Sequence, residues 1–291
     1  MNRNLKTIFI VLYLLLTISL KGAENVPVVV TSEWLRENLG KQDLVILQVS
    51  SIIRDYENGH IPGAGFLWPG WLSVSTETES TVPADIKQVR KVLENLGVND
   101  ESHIVLCGIY GNLMAVCRVF VMLEHFGLKG KVTILQGGYE DWINTGGEVS
   151  VLTPQVSKKK LMLTIRDNLV DTDWMKSGTG KPGYLIVDAR PRQYYEGSAG
   201  ISRQGHIPGA KSLPSAELYD GKSYYFHNIE KLQKIFSSLE IPAGAKTVFY
   251  CNTGNLASID YVAARIVGMD PYLYDGSMED WGSRFELPVE K

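Results

Sequence analysis

The chain repeats itself, and this repeat constrains its fold more than any other feature of the sequence. The hexapeptide Gly-His-Ile-Pro-Gly-Ala occurs at residues 59–64 and again at 205–210. The tripeptide Glu-Asp-Trp occurs at 140–142 and again at 279–281. Two matches in the same order and at nearly the same offset indicate an internal duplication. The 291 residues are therefore expected to form two related domains.

Each half alternates short apolar strands with amphipathic helices. The predicted strands are Leu44–Val49, Ile104–Cys107, Val132–Leu135, Tyr184–Val187, Thr247–Tyr250 and Tyr272–Tyr274. The predicted helices are Ser32–Leu39 (with Ser32 as N-cap), Ala84–Leu96, Leu113–His125, Ile229–Leu239 and Leu256–Val267. Unbroken apolar strands between helices are typical of a parallel sheet that is covered on both faces. The sequence therefore predicts an α/β fold in which each domain is a parallel sheet with helices on both faces.

The first residues have the composition of an export signal. Two basic residues precede an apolar run at 8–20, and small residues follow at 22 and 23. This pattern predicts a signal peptide at 1–23 and an exported, periplasmic protein. The run would rise only about 20 Å as a helix, short for a bilayer core of roughly 30 Å, so no stable membrane insertion is expected after cleavage. Lys21 is a poor context for cleavage, which leaves an N-terminal membrane anchor as the alternative.

Composition predicts the remaining boundaries and excludes some partners. Residues 149–160 carry Thr, Pro, Ser and three consecutive lysines without helical periodicity, which is typical of a linker. The predicted domains are therefore 24–148 and 161–291. A formal net charge of -3 gives no basic surface for nucleic acid. No pair among the three cysteines has metal-ligand spacing, and we expect no metal and no cofactor.

One cysteine lies where a nucleophile is expected. The strand that ends at Tyr250 reaches the carboxyl edge of its sheet, where ligands bind in open α/β folds. Cys251 follows, then a loop with Gly254 and a helix that begins near Leu256. Loop N–H groups and a helix N-terminus can stabilise a thiolate. We expect a depressed pKa for Cys251 and a sulfur directed at solvent; a cysteine that only packs is the alternative.

Four motifs together resemble the tandem-domain rhodaneses. They are Val-Asp-Ala-Arg at 187–190, the hexapeptide, Tyr-Cys-x-x-Gly at 250–254 and a final Glu-Asp-Trp-Gly followed by Leu-Pro-Val-Glu. That family comprises thiosulfate and 3-mercaptopyruvate sulfurtransferases, and the resemblance covers nearly the whole mature chain. It implies two rhodanese-like domains and a double displacement. Cys251 would take a sulfane sulfur from a small donor, become a persulfide and pass that sulfur to cyanide or a thiol.

The resemblance also implies roles for residues around Cys251. The residues expected to bind substrate are Asn252, Thr253, Gly254, Asn255, Leu256, Ala257, Arg192 and Tyr194. Asp188 and Arg190 match the Asp-x-Arg of the family and are expected to be structural. Many members have a second arginine where Tyr194 lies, and Arg192 is the nearby substitute. The uncharged loop matches neither thiosulfate-type nor mercaptopyruvate-type members, so the donor stays open between the two.

The first half repeats the strand, loop and helix without the nucleophile. Counting back from the loop glycines Gly111 and Gly254, Gly108 takes the place of Cys251. Cys107 then falls on the strand, and Gln48 lies near the place of Asp188. We therefore expect an inactive first domain in which Cys107, like Cys117, is part of the core. His60 and His206 recur in both halves and are expected to stabilise turns, and Trp142 and Trp281 to fill cores.

Two other functions compete with sulfur transfer. A cysteine phosphatase or arsenate reductase needs an arginine six residues after the cysteine, and that position is Ala257. The next arginine, Arg265, lies two turns into the helix and is expected to face elsewhere. A non-catalytic sulfur carrier or binding module outside the cytoplasm is the main alternative, because the second donor-binding arginine is absent and the loop is neutral.

Overall fold

The computed structural model describes residues 26–77, 79–109, 111–199 and 203–291. The predicted signal peptide lies outside the described residues. Among the residues that are described, no helix combines the length and apolar character needed to cross a bilayer.

The first half contains seven strands and five α-helices within the described residues. They are β1 (Val29–Val30), α1 (Ser32–Asn38), β2 (Leu44–Val49), α2 (Ile53–Glu57), β3 (Gly65–Leu67), β4 (Ser73–Val74), β5 (Val82–Pro83), α3 (Ile86–Asn95), β6 (His103–Gly108), α4 (Leu113–Leu123), β7 (Val132–Leu135) and α5 (Gly138–Asn144). A 3-10 turn (Pro69–Trp71) precedes β4, and a π-helical turn (Glu124–Leu128) continues α4.

The second half repeats the alternation of strands and helices, with no strands named between β10 and α8 in its described residues. Its elements are β8 (Leu169–Val170), α6 (Thr172–Gly178), β9 (Tyr184–Asp188), α7 (Arg192–Tyr195), β10 (Lys211–Ser212), α8 (Ile229–Ser237), β11 (Lys246–Tyr250), α9 (Ala257–Ile266), β12 (Tyr272–Tyr274) and α10 (Ser277–Ser283). A 3-10 turn (Ser215–Glu217) follows β10.

The two halves have matching sheets. The strand orders are β1-β7-β6-β2-β3 and β8-β12-β11-β9-β10, and every pairing in both is parallel. In the first domain, α1 and α5 bury Leu35 and Trp142 against one sheet face, while α3 and α4 bury Leu93 and Phe120 against the other. The predicted α/β fold with helices on both faces of each sheet is confirmed.

Some predicted element ends are wrong, for local reasons. The N-cap of α1 is Thr31, whose side chain accepts the N–H of Trp34; the hydroxyl of Ser32 instead donates to Asp141. The α-helical part of the predicted helix 113–125 ends at Leu123, and the chain then widens into a π-helical turn. These details depend on hydrogen bonds to other elements, which hydrophobic periodicity does not report.

The two domains share one hydrophobic core. Helix α4 of the first domain packs on α9 of the second, and a single cluster of buried residues includes Phe120 and Val262. Polar contacts surround this seam: the carboxylate of Glu124, only 1% exposed, accepts from the Tyr261 hydroxyl (2.7 Å) and from Arg265 Nε (3.1 Å). The domains therefore form a buried interface that fixes the loops at the sheet edges relative to each other.

Each domain sends a hairpin over the corresponding loop of the other. The first hairpin, formed by β4 and β5, brings the Thr81 hydroxyl to the Thr253 carbonyl at 2.9 Å. The second hairpin is closed by the bridge between Tyr219 and Phe226, and its Tyr224 ring lies against Gly111. The duplication thus produces a reciprocal pair of contacts, one at each sheet edge.

The predicted division of the chain stays a prediction. Ser150, at the start of the proposed linker, pairs with His60 of the first domain. Beyond residue 160, the N–H groups of Leu161 and Met162 still bond to Glu94 and Asp100 of the first domain. Contacts with the first domain therefore continue past the predicted start of the second.

The Tyr224 contact gives a stability prediction. We expect Gly111→Ala to lower the free energy of unfolding by about 2–4 kcal/mol. Gly111 has a φ of +64°, which costs an alanine about 1 kcal/mol, and a Cβ there would lie 2.1 Å from Tyr224 Cζ, which adds about 1–3 kcal/mol of overpacking. Gly146→Ala is the control, because its φ is +81° but nothing lies within 4 Å of the added carbon. Equal losses for the two variants in urea unfolding would show that Tyr224 does not fill this site.

Candidate active site around Cys251

Cys251 is the first residue after β11, at the carboxyl edge of the second sheet. The N–H groups of Ala257, Thr253 and Leu256 form hydrogen bonds to its sulfur. Gly254 has a φ of +76°, a conformation that glycine adopts without strain, and there the loop turns back around the sulfur. We call residues 251–257 the sulfur cradle. The predicted ring of backbone donors is present.

The carbonyl groups of the cradle are held on its outside. Four successive ones accept hydrogen bonds from partners beyond the loop or from the following helix. The pairs are Met278 N to Cys251 O (3.1 Å), Glu279 N to Asn252 O (2.8 Å), Thr81 Oγ1 to Thr253 O (2.9 Å) and Ser258 Oγ to Gly254 O (3.0 Å). In a trans peptide the C=O and the next N–H point in opposite directions. Anchoring the Asn252 carbonyl outside therefore turns the Thr253 N–H toward the sulfur.

Two of the sequence-based expectations for Cys251 are wrong. The residue is only 2% exposed, so its sulfur is not directed at open solvent. Burial raises the pKa of the Cys251 thiol, and the N–H donors lower it by a smaller amount. The physical reason is that desolvation of a buried anion outweighs three hydrogen bonds and a helix terminus. The resting side chain is therefore a thiol in a site built to receive negative charge.

Asp188 and Arg190 form a buried ion pair beside the cradle. Arg190 Nε lies 2.9 Å from Asp188 Oδ1, and its Nη2 lies 2.6 Å from Oδ2. The same Nη2 donates to the carbonyl of Gly205 at 2.7 Å, and the Tyr250 hydroxyl donates to Asp188 at 2.7 Å. This network ties the end of β9 and β11 to the second hexapeptide turn. Its geometry is that of a structural pair, which is the role expected from the sequence.

The cradle borders a cleft of about 660 Å³. Its lining residues are Arg190, Tyr194, Ala199, Arg203, Asn252, Thr253, Met278, Glu279, Gly282, Ser283 and Phe285. The lining combines apolar and charged groups, and the Phe285 side chain is 84% exposed. Three of the predicted substrate-binding residues therefore reach the cleft: Tyr194, Asn252 and Thr253.

The structure does not bring Arg192 to the cleft. Its side chain is 60% exposed and its Nη2 lies 3.8 Å from Glu217 Oε1, because the first turn of α7 directs it away. Arg203 lines the cleft instead, and its Nη1 donates to the carbonyl of Arg284 at 3.1 Å. Sequence reasoning missed Arg203; the available signal was a basic residue two positions before the second hexapeptide. Arg265, considered for a phosphatase, faces Glu124 as expected.

The remaining predicted loop residues contribute through their backbone or local contacts. Leu256 and Ala257 supply N–H groups to the sulfur, and Gly254 supplies the turn. The side-chain amide of Asn255 donates to the Thr253 hydroxyl at 3.2 Å. Among the described residues, no group of three or more His, Cys, Asp or Glu could hold a metal ion.

The loop after β6 in the first domain corresponds to the sulfur cradle and follows strands with the same register. Its centre, however, is filled by the Val116 side chain. Gln48 pairs with Cys107 as Asp188 pairs with Tyr250, so Gly108 occupies the place of Cys251. A Cβ on Gly108 would lie 2.7 Å from Val116 Cγ2, which leaves no room for a sulfur. Cys107 and Cys117 are fully buried, and burial raises the pKa of both thiols. Their assignment to the core is confirmed.

The repeated histidines and tryptophans are structural, as predicted. Nδ1 of His60 is 2.9 Å from the Tyr56 carbonyl, and Nδ1 of His206 is 2.8 Å from the Tyr195 carbonyl. Each imidazole also stacks on the ring of that tyrosine. Trp142 and Trp281 are buried at equivalent positions.

Known proteins are similar to this chain over nearly its whole length. The family model for the rhodanese-like domain matches residues 31–145 and 171–284. The sulfur carrier protein TtuD of Thermus thermophilus is 27% identical over 293 residues, covering 93% of this chain and 99% of the relative. The 3-mercaptopyruvate sulfurtransferase of Escherichia coli is 28% identical over 284 residues, covering 90% of this chain and 97% of the relative.

Solved structures share the fold. The anaerobic ergothioneine biosynthesis enzyme from Chlorobium limicola, in complex with trimethyl histidine, superposes with a TM-score of 0.80 at 20% identity, covering 92% of this chain and 71% of that one. YnjE superposes with a TM-score of 0.80 at 21% identity, covering 91% and 68%. At 20% and 21% sequence identity, the similarity to these structures shows that the fold is shared.

The environment of Cys251 predicts its reactivity with pH. Because burial raises the thiol pKa, the rate of alkylation by iodoacetamide should rise with pH to a midpoint above that of free cysteine. One thiol should react in the folded protein, since Cys107 and Cys117 are enclosed in the core. Mass spectrometry after timed alkylation measures both properties, with Cys251→Ser as the control. A midpoint below that of free cysteine would contradict the dominance of burial.

Proposed function

The chain belongs to the family of proteins built from rhodanese-like domains, and we propose that it is a sulfurtransferase that carries a sulfane sulfur as a persulfide on Cys251. The observation that supports this most directly is the sulfur cradle, in which three N–H groups converge on a cysteine beside a cleft. The relatives support the same class of reaction, since their names include a mercaptopyruvate sulfurtransferase and a sulfur carrier.

The proposed reaction has two displacements. The Cys251 sulfur attacks the transferable sulfur of the donor, which is the outer sulfur of thiosulfate or the single sulfur of 3-mercaptopyruvate. An S–S bond forms, the bond between that sulfur and the rest of the donor breaks, and the proton of the Cys251 thiol passes to the leaving group. The leaving group takes the bonding electrons as sulfite from thiosulfate, or as the enolate of pyruvate from 3-mercaptopyruvate. Cyanide or a thiolate then attacks the outer sulfur, and Cys251 leaves with the electron pair of the S–S bond. No external oxidant or reductant is needed.

The cradle suits the persulfide better than the resting thiol. Its N–H groups are fixed before reaction, so they stabilise negative charge without reorganising when that charge appears on the outer sulfur. A buried thiol that stays protonated at rest also carries the proton that the enolate of pyruvate requires. Both features are compatible with either donor, and the donor stays open between thiosulfate and 3-mercaptopyruvate.

A non-catalytic sulfur carrier is the second candidate. The charge of Arg190 is paired with Asp188, and Glu279 adds a negative charge to the cleft, so attraction for an anionic donor falls mainly to Arg203. The relative from Thermus thermophilus is named a sulfur carrier. A carrier would accept sulfur onto Cys251 without rapid release to a small acceptor.

Replacement of the nucleophile tests the proposal. We expect Cys251→Ala to abolish sulfur transfer to cyanide with both donors, because Cys251 directly precedes the cleft residues Asn252 and Thr253 while Cys107 and Cys117 are fully buried in the core. Cys107→Ala is the matched control and should retain most activity. Thiocyanate release gives the turnover, and intact-mass spectrometry gives the persulfide. Persulfide without turnover would favour the carrier; activity that survives in Cys251→Ala would show that the site is elsewhere.

We also propose that the protein is exported to the periplasm after cleavage behind residue 23. The basic and apolar composition of residues 1–23 supports this. In a Gram-negative host, the periplasmic fraction should contain a chain that begins at Glu24, and deletion of residues 2–23 should retain the protein in the cytoplasm. An intact N-terminus in the membrane fraction would support the anchor instead.

A further inference from the structure

Two residues of the first domain contact the sulfur cradle from outside. The hydroxyl of Thr81 donates to the carbonyl of Thr253 at 2.9 Å. The N–H of Ser80 donates to Glu279 Oε2 at 2.7 Å, and its hydroxyl donates to the other oxygen of the same carboxylate. Glu279 in turn holds the carbonyl of Asn252 through its own N–H. Ser80 and Thr81 therefore act on two consecutive peptide groups of the cradle, one through Glu279 and one directly.

The orientation of these peptide groups decides whether the cradle directs an N–H group or a carbonyl oxygen at the sulfur. Holding the Asn252 carbonyl outside directs the Thr253 N–H to Cys251. Holding the Thr253 carbonyl toward Thr81 directs the Gly254 N–H away from Thr81, into the loop. Glycine has little intrinsic preference between the conformations related by rotating this peptide. The outside contacts are therefore needed to select one of them.

A buried ion pair between the two domains packs against Gly254 of the cradle. Arg118, on helix α4 of the first domain, lies 2.5 Å from Asp275 of the second, and their side chains are 4% and 10% exposed. A Cβ on Gly254 would lie 2.8 Å from Asp275 Oδ1, so the cradle packs directly on this carboxylate. The first domain thus bounds the cradle from two directions.

We propose that Ser80 and Thr81 are positioning residues for sulfur transfer. The first domain, which has no nucleophile, holds the cradle of the second in the conformation that binds a negatively charged sulfur. This inference rests on the proposed function, because it assigns these residues to the persulfide on Cys251. It also gives the first domain a part in the reaction, although that domain has no nucleophile.

The duplication supplies a matched control. At the opposite sheet edge, the Tyr225 hydroxyl of the second hairpin lies beside Asp141 of the first domain, whose carboxylate helps to raise the pKa of Tyr225. Tyr225→Phe therefore removes one hydroxyl from an interdomain contact at the filled loop, as Thr81→Val removes one at the cradle. If these contacts only join the domains, the two variants should behave alike. If Thr81 positions the cradle, they should differ.

The experiment compares wild type, Thr81→Val, Thr81→Ser and Tyr225→Phe in the full chain. We expect Thr81→Val to slow persulfide formation on Cys251 about 3- to 10-fold, the effect of one hydrogen bond. Its alkylation midpoint should also move to higher pH, because a Thr253 carbonyl that is no longer held by Thr81 can turn into the loop and oppose the negative charge of the thiolate. Thr81→Ser and Tyr225→Phe should match wild type in both measurements. Thermal unfolding of all four chains reports any general loss of stability.

Two results would overturn the inference. One is a Thr81→Val protein that forms persulfide and alkylates like wild type; the other is a Tyr225→Phe protein that slows to the same degree. Failure of the proposed function is distinct, since wild type itself would then form no persulfide. In that case the alkylation profile, which needs no sulfur donor, still decides whether Thr81 positions the cradle.

Discussion

The geometry around Cys251 depends on the hydrogen bonds that hold four successive carbonyl groups outside the loop. Buried backbone groups need hydrogen-bond partners. A loop that directs its N–H groups inward must therefore find donors for its carbonyl groups outside the loop. Helix α10 supplies two of them, because Met278 and Glu279 carry N–H groups that a helix start leaves unpaired. Thr81 supplies a third from the other domain. The cradle, the following helix and the domain interface are therefore one hydrogen-bonded unit.

The two copies of the fold differ at the centre of this loop. In the first domain, Val116 and the Tyr224 ring occupy the space around Gly108 and Gly111. In the second, the corresponding hairpin contributes the small side chains of Ser80 and Thr81, and a cleft stays open beside Cys251. The same reciprocal contact closes one site and supports the other.

The sulfur is more enclosed than a reactive thiolate usually is. Burial raises the thiol pKa, although three N–H groups oppose that shift. In the proposed reaction this balance changes when sulfur is transferred, because the charge then resides on an atom further from the protein interior. A fixed set of donors can stabilise that charge at no further cost in orientation. Protection of the resting thiol and stabilisation of the persulfide are thus compatible in one loop.

The sequence alone determined the duplication, the strand cores and the position of Cys251 at a strand end. These follow from local repetition and hydrophobic patterning, which report the faces of strands and helices. Tertiary structure decided three other features: that Arg203 rather than Arg192 lines the cleft, that the thiol pKa is raised, and that Thr81 reaches the cradle. Each of these depends on which distant segments approach in space, since side-chain direction, desolvation and interdomain hydrogen bonds are set by packing between residues that are far apart in the chain.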